Sequence, residues 1–245
     1  MKKSNWLVLA PAAATAAILR AAQCSTGFDA DGLAVRGNVP GILLLALLAL
    51  AAAYFFIAAA RKLPAQREET GELADNFGFQ GMPAALCVVA GAFLTVLGAA
   101  ASVRSYGSLT TLLLSAFIAA SAFCLLYTVF ALYRDNDVQD VALLAPVCCL
   151  VVFLIFLYRS DASDPVLARI YVELLATALL TYSAVERAAF AFRNGSPRVY
   201  LPVSAMAILL SAAAAAELES LAKLLFFAGC ALIELGFLCA AKWEA

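Results

Sequence analysis

The sequence predicts an all-α, polytopic transmembrane helix bundle of about eight helices. Three observations carry this expectation. Of the 245 residues, 65% are hydrophobic and 13% are charged, against roughly 25% charged in an average soluble domain. Mean hydropathy is +0.94, and a soluble fold has no place for that much apolar surface. The apolar residues also fall in eight runs of about 18–26 residues, the length of a helix crossing a hydrocarbon core of about 30 Å. Barrel strands are about half as long. Charges, Gly and Pro lie mostly between the runs. Inside lipid the backbone has no water to pair with, so each run is expected to be a helix.

The first run, Trp6 to Cys24, follows Met1-Lys2-Lys3 in the manner of a signal peptide. Pro11 and Arg20 interrupt it, and neither Ala21-Ala22-Gln23 nor Gln23-Cys24 suits a cleavage site, so it reads as a retained helix. The second run is Gly41–Ala60, and the third is Pro83–Val103. The third has Gly91, Thr95 and Ala99 four apart, as the seventh, Tyr200–Ala216, has Ala207, Ser211 and Ala215. Small residues at that spacing let backbones approach, which points to central positions for both. The fourth run is Leu109–Tyr133 and the fifth Val141–Tyr158, whose Val151–Phe156 stretch reads as lipid-facing. The sixth starts near Val166 and continues toward Phe192; the eighth is Leu221–Ala241. Trp6, Tyr54, Tyr133, Tyr158, Tyr171 and Trp243 stand near run ends, as interface aromatics do. Two hydrophilic stretches, 25–40 and 61–82, read as solvated connectors, the second with room for a short surface helix.

Lys and Arg set the orientation. With the N-terminus inside, ten fall on the cytoplasmic side and five outside, with Arg20 left near the outer end of the first run. Arg61-Lys62 is the clearest anchor. Both termini are therefore expected in the cytoplasm, in a bacterial inner (plasma) membrane. An internal duplication is also suggested. Leu7-Val8-Leu9-Ala10-Pro11 resembles Ala142-Leu143-Leu144-Ala145-Pro146, and Gly91–Phe130 aligns with Val203–Lys242 with ten identities in forty. It would divide the single membrane domain, 1–245, into parallel four-helix halves, 1–134 and 135–245. Both aligned windows are dominated by Ala and Leu.

Much chemistry is excluded. The chain has no histidine, so bis-His haem, HExxH zinc and serine–histidine sites have no ligands or base. The seven cysteines form no CxxC and sit in or beside apolar runs, where they serve as small fillers. No phosphate loop or dinucleotide fingerprint occurs. No cofactor, metal, nucleotide or nucleic acid is expected. The expected surroundings are the lipid bilayer, other membrane proteins or further copies of the chain.

Ionisable residues inside a run are functional candidates, because burying them in a bilayer is costly. Glu234 lies two thirds of the way along the eighth run, with no partner on its own helix. In the sixth run Arg169, Glu173, Thr177 and Thr181 recur every four residues, a gently winding polar stripe in which Glu173 can reach Arg169. Glu186 and Arg187 are adjacent further in. Two readings of the stripe stay open: interhelical packing, or a polar cavity where Glu173 handles a cation, a proton or an amphipathic ligand.

Asp164-Pro165-Val166-Leu167, Tyr171-Val172-Glu173-Leu174-Leu175-Ala176, Phe190-Ala191-Phe192 and Pro197-Arg198 together resemble the second half of small, functionally uncharacterised eight-helix bacterial membrane proteins. The resemblance implies the architecture and assigns no functional residue. The first functional expectation is a non-enzymatic membrane subunit, scaffold or regulator. The alternative is a small transporter or ligand-binding component using the stripe. A third is an enzyme working through Glu173 and Glu234 as a carboxylate pair.

Overall fold

The computed structural model describes residues 3–28, 35, 37–63, 73–79, 82–134, 140–161, 167–217 and 220–243. Among them lie α1 (Lys3–Thr26), α2 (Val39–Lys62), α3 (Leu73–Asn76), α4 (Met82–Tyr106), α5 (Leu109–Tyr133), α6 (Asp140–Asp161), α7 (Leu167–Ala191), α8 (Pro197–Ala215) and α9 (Leu221–Ala240). All but α3 coincide with the eight apolar runs. Seven, namely α1, α2, α4, α5, α6, α8 and α9, are long and apolar enough to cross a membrane. The chain is a multi-pass helical membrane protein.

The sixth apolar run is α7. It has 25 residues, ample length for a crossing. It carries charged residues inside its length, Glu173, Glu186 and Arg187 among them. Two of those charges, Glu173 and Arg187, are turned to partners inside the bundle.

Local signals set the helix starts. Asn38 caps α2 by accepting from the Gly41 N–H at 3.1 Å, and Pro40 occupies the first turn. Ser108 caps α5 by accepting from the Thr111 N–H at 3.1 Å. Gly107, at φ +56°, makes the turn between α4 and α5.

Helices α4 to α9 close into a ring: each packs on its neighbour in sequence, and α9 returns to α4. Helices α1 and α2 pack on each other and on the outside of α8. With four neighbours, α8 is the most enclosed span, 78% buried against 17% for α2. This matches the central place expected from its small residues. The expected solvated stretch 61–82 departs from its reading at its far end: Leu73, Asn76, Phe77 and Phe79 are all buried. Its Glu68, Glu69 and Glu72, like the Asp29–Asp31 stretch of the other connector, lie outside the described residues, while Asp75 is exposed on α3.

The α4–α9 interface is the most extensive in the molecule. A Cβ added to Gly91 would lie 2.6 Å from the Gly229 carbonyl oxygen, and one on Gly229 would lie 2.6 Å from that of Gly91. Gly98 meets the Ala222 carbonyl in the same way at 2.8 Å, and Gly236 meets that of Ala84 at 2.8 Å. Each step along α4 is matched by an equal step back along α9, so the two are antiparallel in one register. Backbone-to-backbone approach of this kind maximises dispersion contact where lipid offers no hydrophobic drive.

The terminal end of the ring is sealed by aromatic rings. Phe77 meets Phe190, Tyr200, Phe237 and Trp243 edge-on, at centroid distances of 5.4, 5.6, 5.9 and 5.4 Å. The backbone locks this seal: Gly78 N–H donates to Ala240 O at 2.8 Å, and Lys242 N–H to Asn76 O at 3.0 Å. Trp243 is therefore not an interface aromatic. It is buried and donates its Nε1–H to Asn76 Oδ1 at 3.2 Å. Tyr133 and Tyr158 are exposed near helix ends, as expected, while the side chain of Trp6 lies outside the described residues. Replacing Trp243 by phenylalanine keeps most of the ring packing but leaves the Asn76 amide short of a donor. A loss of about 1–3 kcal/mol is expected, read as a lowered thermal midpoint in detergent, with Asn76→Ala restoring part of it in the double variant.

Candidate functional site

Two ion pairs join α7 to α9 across the ring. At one level Lys223 Nζ donates to Glu173 Oε1 at 2.8 Å. At the other, Arg187 Nη1 donates to Glu234 Oε1 at 3.1 Å. The polarity reverses between them: the acid stands on α7 at the first level and on α9 at the second. Because 173 pairs with 223 and 187 with 234, the two helices run in the same direction. They are second neighbours, flanking α8, and only long side chains bridge them.

The Arg187–Glu234 pair is the more enclosed. Glu234 Oε2 also accepts from Ser183 Oγ at 2.6 Å and from Ser204 Oγ at 2.8 Å. The partner that its own helix lacks thus comes from α7 and α8. The Arg187 guanidinium lies over the Phe237 ring at 4.3 Å. A buried carboxylate survives only when its lone pairs meet donors, and three donors from two helices meet that need. Tyr200, wholly buried on α8, stands beside this group, and its hydroxyl makes no hydrogen bond among the described residues.

Toward the other end, Arg20 of α1 pairs with Glu217, just past α8; Arg20 Nε donates at 2.8 Å, and Nη1 donates to Gln23 Oε1 at 2.9 Å. The two ionisable residues are both buried. This ties α1 into the bundle. The Glu217 carboxyl also faces Glu173, whose Oε2 meets no donor among the described residues.

The polar stripe of α7 is divided rather than concerted. Thr177 Oγ1 donates to Glu173 O at 2.8 Å, and Thr181 Oγ1 to Thr177 O at 2.7 Å. Both hydroxyls turn back onto their own helix. The side chain of Arg169 lies outside the described residues, and the partner seen for Glu173 is Lys223. Glu173 and Glu234 are not brought together. Glu234 bonds Ser183, ten residues beyond Glu173, or about 15 Å along the helix. No carboxylate pair forms between them.

Two chambers lie within the ring. An inner one of about 40 Å³ borders Arg187 and Glu234, with Thr95, Ser121, Cys149 and Cys230 also on its wall. An outer one of about 380 Å³ lies between α4, α5, α6 and α9 at the Gly107–Ser108 end. Its rim carries Ser102, Ser108, Thr111, Ser115, Ser220 and Lys223, and its wall Phe153, Phe156 and Leu157. Two of the rim hydroxyls have spent their hydrogens: Ser115 Oγ donates to Thr111 O at 2.7 Å and Ser102 Oγ to Gly98 O at 3.1 Å. What they still offer is acceptor lone pairs, while Lys223 supplies donors. Neither chamber is lined by Glu173, Thr177 or Thr181.

Sequence reasoning missed Lys223, Ser183 and Ser204 as partners. Lys223 sits near the start of its run and reads as a loop charge. Ser183 and Ser204 are single hydroxyls among many. Arg187 stands out in the sequence as an intramembrane charge, but nothing local names Glu234 as its partner. Among the described residues no cluster of Cys, Asp and Glu has the arrangement to hold a metal ion. No protein-family model, curated protein or solved structure matches the chain. The class is defined by its own architecture: a multi-pass membrane protein built as a six-helix ring with ion pairs inside.

Proposed function

We propose that this protein is a non-enzymatic, ligand-binding membrane component of the small-carrier type, which takes an amphipathic small molecule into the outer chamber. The observation that carries this is the chamber itself. At about 380 Å³ it falls within the range of small-molecule sites, roughly 300–1,000 Å³. Its aromatic wall suits an apolar body, and its rim of lone pairs beside one ammonium suits a hydrogen-bonding head. The scaffold or regulator reading draws no comparable support, since the buried charges engage one another inside the bundle and not an outward face. The Lys/Arg distribution supports a plasma-membrane protein with both termini in the cytoplasm, surrounded by lipid.

Native mass spectrometry tests the reading. Protein released gently from nanodiscs is expected to carry a bound small molecule. Ser115→Trp and Ala99→Phe, which fill the chamber, are expected to lose it, while Phe93→Ala on the lipid face keeps it. Retention of the same adduct by both filled variants overturns the proposal.

A further inference from the structure

The two chambers share two wall residues, Ile118 and Phe226. A side chain that lines two cavities is the partition between them, so the partition is one side chain thick. Phe226 is held there by rings: Phe153 at 4.5 Å and Phe227 at 5.4 Å between centroids. A phenylalanine moves by rotation about two side-chain torsions, so the partition opens without moving a helix.

The inner chamber has a few polar groups on an otherwise apolar wall. Its volume of about 40 Å³ admits about two or three water molecules, and a cavity that size holds water only when polar groups line it. Arg187, Glu234, Thr95 and Ser121 supply those groups. Beyond the ion pair the way is shut, because Phe237 covers Arg187 and belongs to the aromatic seal with Phe77.

We propose that the ring encloses a blind, hydrated path, entered from the outer chamber, closed by Phe226 and Ile118, and ending at the Arg187–Glu234 pair. The species it admits are water and ions of similar size; an organic ligand stops at the partition. The pair is then a small-ion site reached from one face of the membrane only. The inference rests on the outer chamber being open to solution, as the proposed function does, but not on an organic ligand occupying it.

Two native thiols report on the path, since Cys149 and Cys230 both line the inner chamber. The probe is Ag⁺, a thiophilic ion small enough to follow water, applied without chloride to protein in liposomes. The other five cysteines are replaced by alanine. Blocked thiols are counted by mass after denaturation and alkylation. A second protein, with Ser115→Cys as its only thiol, reports on the outer chamber. Ser115→Cys is expected to be blocked quickly and Cys230 slowly. Phe226→Ala and Phe226→Leu are expected to speed Cys230 blocking, the first by about tenfold, as when a minor open state rises from about 1% to about 10%. Neither should change Ser115→Cys. If Ser115→Cys is blocked but Cys230 reacts at the same rate in all three proteins, the path is overturned and the outer chamber stands. If Ser115→Cys is not blocked at all, both fall together.

Discussion

Replacing Arg187 by methionine is expected to destabilise the bundle by about 3–5 kcal/mol, the usual consequence of stranding one charge of a buried pair. Glu234 keeps its two serine donors, Ser183 and Ser204, but they leave a full negative charge without a counter-ion. The same variant also strips the cation from the face of Phe237. For a chain of this size the thermal midpoint should fall by about 6–20 °C, at about 2–4 °C per kcal/mol. The double variant Arg187→Met/Glu234→Leu removes the stranded charge as well and should recover most of the loss, because a buried pair exchanged for apolar residues is often near neutral. Circular dichroism melts of the three proteins in one detergent decide it. A double variant as unstable as the single would mean that packing, not the isolated carboxylate, is the source.

Leucine at Gly91 or Gly229 should be as damaging, for a different reason. The atom that a new Cβ would meet is a backbone carbonyl of the facing helix, 2.6 Å away. A flexible side chain can yield; a helix backbone cannot, except by separating α4 from α9. Overpacking costs about 1–3 kcal/mol where side chains adapt, and here the upper end or beyond is expected. Ala100→Leu, on the exposed side of α4, adds the same bulk to the lipid face and should be tolerated. Because each glycine contacts the other's carbonyl, the two substitutions should be strongly non-additive in the double variant. Additive losses would show that the close approach is not shared.

How far the sequence reveals this molecule depends on range. The long helices follow from apolar runs whose ends are marked by Pro40, Gly107-Ser108 and Pro197, all local signals. The enclosed place of α8 follows from its small residues. Pairing does not follow. Gly229 and Gly236 are seven apart on α9 just as Gly91 and Gly98 are on α4, yet nothing local says that these two faces meet. Glu234 advertised its need for a partner, and the need was met by Arg187, 47 residues away. The nearer candidate for Glu173 was Arg169, while the residue that reaches it is Lys223, 50 residues on. The buried end of the 61–82 connector was hidden because Phe77 and Phe79 look like isolated aromatics until the ring end they fill has been built.

The reversed polarity of the two α7–α9 ion pairs has a consequence for how the protein is made. Helix α7 reaches the bilayer before α9 has been synthesised, carrying Glu173 and Arg187 with no counter-charges from the helix that will hold them. Lys223 and Glu234 of α9 bring those counter-charges. The alternation of sign also proofreads that step. An α9 inserted backwards would set Lys223 against Arg187 and Glu234 against Glu173, and like charges in hydrocarbon repel.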